Sequence, residues 1–280
     1  MIDLHVHSTV SDGTLTPSEL VIYAKEKNLT AFALTDHDTI DGVAEAMEAG
    51  MHHSVTVIPG IEISSFHLGR EIHILGLNLD YKDEKLISAL YEYKRIREER
   101  NDKLIILLNE QGFPVTNELM LKRFPNSVIT RAHYATWLVE NGYVESKDKA
   151  FKKYLGDGCP CYIPKERISP EYAINLIKNS GGKAVLAHPL LYNFSNSQLD
   201  TLVSDLSNMG LNGIEAIYSC NKGSDTSKMK CLAKKYGLFI TGGSDFHGEN
   251  KPGLDMGCGY GRLNVPDEVL NNIFQSAQKV

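Results

Sequence analysis

Two histidines, His5 and His7, stand in an alternating stretch near the start of the chain, Ile2 to His7. Side chains two apart on a β-strand project from one face, so both imidazoles can reach a single ion. Such a pair is often incidental when it stands alone. Here it is followed by Asp12, the triplet Asp36-His37-Asp38, Glu62, His73, His188, Asp245 and His247. Each falls at the end of a stretch that reads as a strand or in the turn after it, which is hard to attribute to chance. Mixed imidazole and carboxylate ligands suit Mn²⁺, Fe²⁺ or Zn²⁺ and fit poorly with Mg²⁺ or Ca²⁺, which prefer oxygen. No obvious thiolate ligand accompanies them, which argues against a structural zinc knot. About nine ligands can serve two or three ions if one carboxylate bridges, and Glu62 is the candidate bridge. Ions roughly 3.5–4 Å apart lower the pKa of a shared water, supply hydroxide at neutral pH and neutralise charge on a phosphoryl group. The chemistry expected is hydrolysis of a phosphate monoester with no Ser or Cys nucleophile.

The elements that must position these residues alternate. Ile2 to His7 reads as a strand, Asp12-Gly13 as a turn, and Thr16-Pro17-Ser18-Glu19 as a helix start with an N-cap and Pro at the first position. Ala31 to Thr35 is an apolar run suited to a buried parallel strand, followed by a helix from about Ile40 to Ala49. Further strands fit Val55 to Ile63, Glu71 to Gly76, Lys183 to Ala187, Gly213 to Ile217 and Leu238 to Gly242. Repeated βα units with polar residues at strand ends describe a barrel-like parallel sheet whose chemistry gathers at the carboxyl ends of the strands. Between them, from Asp83 to Gly156, long helical patterns indicate an insertion. The expected organisation is an α/β barrel formed by residues 1–85 and 165–280, with a helical insertion at 86–164 that contributes to substrate binding.

Other residues have competing readings. Asp36 and Asp38 flank His37 and suit the orientation of a ligating imidazole, with Asp38 also a candidate proton donor to the leaving oxygen. Arg131 and His133 share a helix start in the insertion. Arg is a bidentate binder of oxyanions, so the pair reads as a phosphate contact, the alternatives being a packed His-Arg pair or a metal ligand at His133. Arg262, in a glycine-rich loop from Gly257, is a candidate phosphate contact or a salt-bridge partner. His52, His53 and His67 read as cap or hairpin residues, and Trp137 as core.

Bulk properties narrow the function further. Over 280 residues, 42% hydrophobic and 23% charged are globular proportions. Five cysteines in a chain with no secretory signal pattern argue against a disulfide framework, and Cys159-Pro160-Cys161 lacks a second pair at zinc-site spacing. With no apolar run long enough for a membrane span, a cytoplasmic location is expected. A net charge of −6 argues against a long nonspecific nucleic-acid groove. The stretch from Lys94 to Arg167 is mildly basic against an otherwise acidic body, as suits an anionic substrate carried to cations held by carboxylates, the alternative being that these charges are solvated helix faces.

In combination, His5-Val6-His7, Thr35-Asp36-His37-Asp38, Pro59-Gly60-Ile61-Glu62, Ala187-His188-Pro189 and Ser244-Asp245-Phe246-His247 resemble, in order and type, the metal-binding motifs of the polymerase and histidinol phosphatase (PHP) superfamily. The resemblance covers roughly residues 1–85 and 165–280. It implies a distorted (β/α)7 barrel with a trinuclear site. One ion would take His5, His7, Glu62 and Asp245, a second Glu62, His73 and His188, and a third Asp12, His37 and His247. Arg131-Ala132-His133 together with Glu71 to Leu77 is similar to a subgroup acting on nucleoside 3′,5′-bisphosphates, AMP or the 5′ end of short RNA. Histidinol phosphate is the alternative substrate within the superfamily. Two other classes compete. Amidohydrolase barrels also begin with a His-x-His strand, but their metal-bridging Lys is hard to place here. A non-catalytic metal-stabilised module would be expected to have lost ligands, and none is missing.

Overall fold

A computed structural model describes residues 1–125, 129–163 and 168–274. The chain divides into two compact units, one of Met1–Ser88 with Arg167–Val280 and the other of Ala89–Glu166.

The first unit is built on seven strands: β1 (Ile2–Val6), β2 (Ala31–Leu34), β3 (Thr56–His67), β4 (Arg70–Leu77), β5 (Lys183–Leu186), β6 (Gly213–Tyr218) and β7 (Phe239–Gly243). They pair in sequence order, β1-β2-β3-β4-β5-β6-β7. A parallel bridge between Val6 and Phe246, with His7 N–H donating to Phe246 O at 2.9 Å and Asp245 N–H to His5 O at 2.9 Å, brings the two ends together into a nearly closed barrel. Closure at this seam depends on Gly243, because a Cβ there would stand 2.4 Å from His5 Cβ. The sheet is not wholly parallel. β4 runs antiparallel to both β3 and β5. The reason is the Leu68-Gly69 turn: so short a connection can only reverse the strand, whereas a parallel partner needs a crossover.

The helices of this unit are α1 (Pro17–Glu26), α2 (Val43–His53), α7 (Pro170–Asn179), α8 (Asn196–Asn208), α9 (Asp225–Lys235) and α10 (Leu270–Phe274). Their starts follow local chemistry. At α1, Thr16 Oγ1 accepts from Glu19 N and Glu19 Oε2 accepts from Thr16 N, a reciprocal cap, while Pro17 occupies the position where no amide is needed. At α7, Ser169 Oγ accepts from Tyr172 N just ahead of Pro170. Inside the barrel, Ile2, Leu4, Ala31, Ala33, Ile58, Leu75, Leu77, Val185 and Ile217 form one buried cluster with Leu263 and Val265. Each large side chain fully buried there contributes about 1.5–3 kcal/mol.

The second unit holds most of α3 (Glu84–Glu110), with α4 (Asn117–Arg123), α5 (Arg131–Glu140) and α6 (Lys147–Ala150). It has its own core, in which Leu104, Leu108, Phe113, Tyr134, Trp137, Leu138 and Cys161 pack together. Cys161 is thus a core residue, and all five cysteines are free thiols. Among the described residues, no helix is long and apolar enough to cross a membrane.

Candidate metal centre

At the carboxyl end of β1, strict alternation from Ile2 and Leu4 would turn His5 away from the interior. The register of β1 against β2 shifts between Asp3 and Val6, and an irregularity of this kind re-aims the side chains that follow. His5 and His7 are both wholly buried, their rings 5.1 Å apart. Glu62 enters from β3 and His73 from β4. His37 follows β2, where it bridges to Glu62 in the backbone. Asp12 lies in the loop after β1, His188 just beyond β5, and Asp245 and His247 just beyond β7.

Glu62 is the hub. Its Oε1 lies 2.8 Å from His73 Nδ1 and 3.0 Å from His188 Nε2. Its Oε2 lies 3.3 Å from both His5 Nε2 and His7 Nε2, and 3.1 Å from His37 Nδ1. Asp245 Oδ1 is 3.5, 3.4 and 3.3 Å from nitrogens of His5, His7 and His247, and Asp12 Oδ1 is 3.2 Å from His247 Nε2. Three residues of this region have left-handed backbones despite carrying side chains: Asp38 at φ 55°, His188 at φ 27° and Asp245 at φ 59°. Such conformations persist where the surroundings over-determine them, which is common at functional sites.

These atoms are close but badly satisfied. His5 Nε2, both ring nitrogens of His7, His37 Nδ1, His188 Nδ1 and Glu62 Oε2 are buried without a hydrogen-bond partner among the described residues. Leaving buried polar atoms unpaired is costly, and lone pairs converging from imidazole and carboxylate call for a cation between them. The spacing agrees, since ligands about 2.0–2.2 Å from one ion stand roughly 3–3.5 Å from each other. Among the described residues, four sets have ligand atoms within 4.8 Å of one another: His7, Asp12, His37 and His247; His5, His7 and Asp245; His5, Glu62 and His188; His37, Glu62 and His73. The donor set therefore fits divalent ions.

Electrostatics point the same way. Burial pushes the carboxyls of Glu62, Asp12 and Asp245 upward, yet neighbouring imidazoles, and Lys251 beside Asp245, hold all three well below their usual range. Burial also opposes charge on the rings, but Asp245 and Glu62 raise His7 to about 9, and Glu62 and Glu71 raise His73 to about 10. At His37 burial prevails and lowers the ring to about 3. Without cations this cluster draws in protons to balance its carboxylates.

Residues 3–157 match the PHP domain model. The chain belongs to the PHP domain family. It is similar to a 5′-3′ exoribonuclease of Haemophilus influenzae, 39% identical over 246 residues that cover 88% of this chain and 89% of that protein. It is also similar to a 3′,5′-nucleoside bisphosphate phosphatase of Chromobacterium violaceum, 34% identical over 257 residues covering 91% and 90% of the two chains. Among solved structures, one assigned as a metal-dependent phosphoesterase from Bifidobacterium adolescentis superposes with a TM-score of 0.84 at 30% identity, covering 100% of this chain and 97% of that one.

In this member of the PHP family the structure brings together His5, His7, Asp12, His37, Glu62, His73, His188, Asp245 and His247. Asp36 lies behind them, where it accepts from Ser8 N, Ser8 Oγ and Ser11 Oγ at 2.7, 2.6 and 2.6 Å and so fixes the loop that carries Asp12. Asp38 is buried, with its Oδ1 accepting from Ser64 N at 2.9 Å. Arg262 is exposed in a turn closed by the Cys258 carbonyl. Within the second unit, Arg131 opens α5, donates to Leu155 O at 3.2 Å and lies over the Tyr162 ring. His133 Nδ1 accepts from Thr130 N at 3.0 Å, so this imidazole serves as part of the α5 cap.

Four residues around the cluster escape a reading of motifs. Glu215 touches both His5 and His188. Tyr218 Oη donates to Asp245 Oδ2 at 2.7 Å, and Lys251 Nζ meets the same oxygen at 2.5 Å. Tyr192 Oη accepts from His73 N and donates to Ala187 O, both at 2.9 Å, splicing a hydroxyl into the β4-β5 seam. Glu215 alone had a signal in the sequence, as a carboxylate inside the apolar strand Gly213–Tyr218.

Proposed function

We propose that this PHP domain protein is a divalent-metal-dependent phosphoesterase that removes phosphate from nucleotides, with nucleoside 3′,5′-bisphosphates, AMP or the 5′ end of short RNA as the substrate class. The observation that carries the reading is the set of buried imidazole and carboxylate atoms that face one another without hydrogen-bond partners. The named relatives support the nucleotide class.

In this reading His5, His7, Asp12, His37, Glu62, His73, His188, Asp245 and His247 hold two or three ions of the Mn²⁺, Fe²⁺ or Zn²⁺ type, with Glu62 shared between ions. When bound, the ions supply Lewis acidity and activate water for attack on phosphorus. The chain's own residues then have three tasks. Glu62 and Asp245 gather the imidazoles and supply the negative charge that retains the cations. Asp36 keeps Asp12 on its loop. Asp38 is proposed to deliver a proton to the leaving oxygen, and Arg131, His133 and Arg262 are proposed as contacts for substrate phosphate.

The test is turnover of a panel by the full chain reconstituted with Mn²⁺: a nucleoside 3′,5′-bisphosphate, AMP, a 5′-phosphorylated dinucleotide, histidinol phosphate and an aryl phosphate. The nucleotides should be hydrolysed with the highest kcat/KM. A preference for histidinol phosphate, or no preference over the aryl phosphate, would overturn the substrate assignment.

A further inference from the structure

We infer that Glu215 is a positioning residue for two of the proposed ligands at once, acting on His5 through its ring and on His188 through its backbone. The inference rests on the metal-binding reading above. Glu215 lies in β6 and is 1% exposed. Its Oε1 stands 3.0 Å from His5 Nδ1, and its Oε2 accepts the backbone N–H of His188 at 2.7 Å.

An ionised carboxylate only accepts hydrogen bonds, so the contact with His5 places the ring proton on Nδ1. The lone pair is then left on Nε2. That nitrogen faces Glu62 Oε2 at 3.3 Å and Asp245 Oδ1 at 3.5 Å. It is also among the buried atoms that have no hydrogen-bond partner among the described residues. One oxygen of Glu215 thereby turns the donor atom of His5 toward the proposed ions, an arrangement that raises the basicity of a metal ligand.

The second oxygen works on backbone. His188 is held at φ 27° and ψ 56°, a conformation unfavourable for a residue with a side chain. The tie from its N–H to Glu215 restrains that conformation, and His188 Nε2 then reaches Glu62 Oε1 at 3.0 Å. A single buried carboxylate thus fixes a tautomer on β1 and a strained backbone after β5. It also explains an acid in a strand whose six residues are all buried.

Glu215→Gln separates charge from shape. The amide has one accepting end and one donating end. If its oxygen stays on the His188 N–H, its NH₂ faces His5 Nδ1 and shifts the ring proton to Nε2, where it blocks the ion. If the amide is turned around, two N–H groups oppose each other at His188. Either orientation damages one ligand.

Zn²⁺ is the probe, because it is diamagnetic. In the zinc-loaded parent, ¹⁵N-histidine NMR should show His5 protonated at Nδ1. Glu215→Gln should bind zinc about 10- to 100-fold more weakly in equilibrium dialysis. Its circular dichroism should remain that of the parent. A parent His5 protonated at Nε2 overturns the inference, and that measurement decides the matter even if the variant fails to fold. Parental zinc affinity in a folded Glu215→Gln overturns it too. If the parent takes up no zinc, it is the metal-binding reading itself that fails.

Discussion

In the barrel, Glu62 stands within 3.3 Å of five imidazoles, those of His5, His7, His37, His73 and His188, and its side chain is 1% exposed. In the helical insertion, Arg95 reaches Glu92 and Glu99, Arg123 reaches Glu140 and Lys152 reaches Asp148, all on water-facing helix surfaces. The two regions hold similar side chains under opposite rules. Exposed pairs exchange one solvation for another and contribute little. Buried ones have lost their water, so each depends on every partner, and removing one leaves the rest uncompensated. Charge in the barrel is therefore expected to be coupled to function and fold, and these exposed ion pairs of the insertion to neither.

The largest expected effect comes from removing the ions. Chelation should abolish phosphoesterase activity and lower the melting temperature, and the size of the second effect should depend on pH. In the ion-free fold, His7 is raised to about 9 and His73 to about 10 from an ordinary 6.5. Groups raised in this way stabilise the fold fully below 6.5 and lose that contribution as pH rises through 9 to 10. Metal binding needs neutral rings and strengthens over the same interval. The gap in Tm between loaded and stripped protein should widen from pH 6.5 to pH 9. A gap that narrows, measured by thermal melts in matched buffers, would break the link between burial and metal.

Next in size is Glu62→Gln. As a shared ligand it should cost more than about 100-fold in kcat/KM, the upper end for loss of a partner behind a single ligand. Asp12→Asn should cost less. Metal content and kcat/KM measured together on the two variants test this order, and equal losses would count against Glu62 as the bridge.

Arg131→Ala sharpens the comparison from the insertion side. Metal content should stay near that of the parent while kcat/KM on a nucleoside bisphosphate falls about 10- to 100-fold, as for a lost charge-assisted contact. An aryl phosphate should be affected less. Uniform loss on both substrates with missing metal would assign this helix start to support of the cluster. The smallest effect should be that of Arg123→Ala, whose exposed pair with Glu140 predicts a change in stability below about 1 kcal/mol and unaltered activity. A larger loss in denaturant unfolding would show that the two regions do not differ as argued.

Much of this was legible along the chain because its signals are local. The capping residue Thr16 and the apolar runs of the strands each act within a few residues, so their consequences can be read from neighbours. The nine imidazole and carboxylate residues were legible for a related reason, since polar groups at the ends of apolar strands are forced to the mouth of the sheet. What the sequence could not supply was aim. His5 faces the cluster only because β1 slips its register between Asp3 and Val6, and His188 only because its backbone is held at φ 27°. Glu215, Tyr192, Tyr218 and Lys251 carry no motif of their own. Their roles arise when strands distant in sequence bring a carboxylate, a hydroxyl or an ammonium within about 3 Å of a partner, where directional hydrogen bonds decide which atom each imidazole presents. Residue type and spacing thus determined which chemistry was present, whereas orientation, tautomer and shared partners were decided by the tertiary fold, because hydrogen bonds and metal coordination act through distance in space and not through position in the chain.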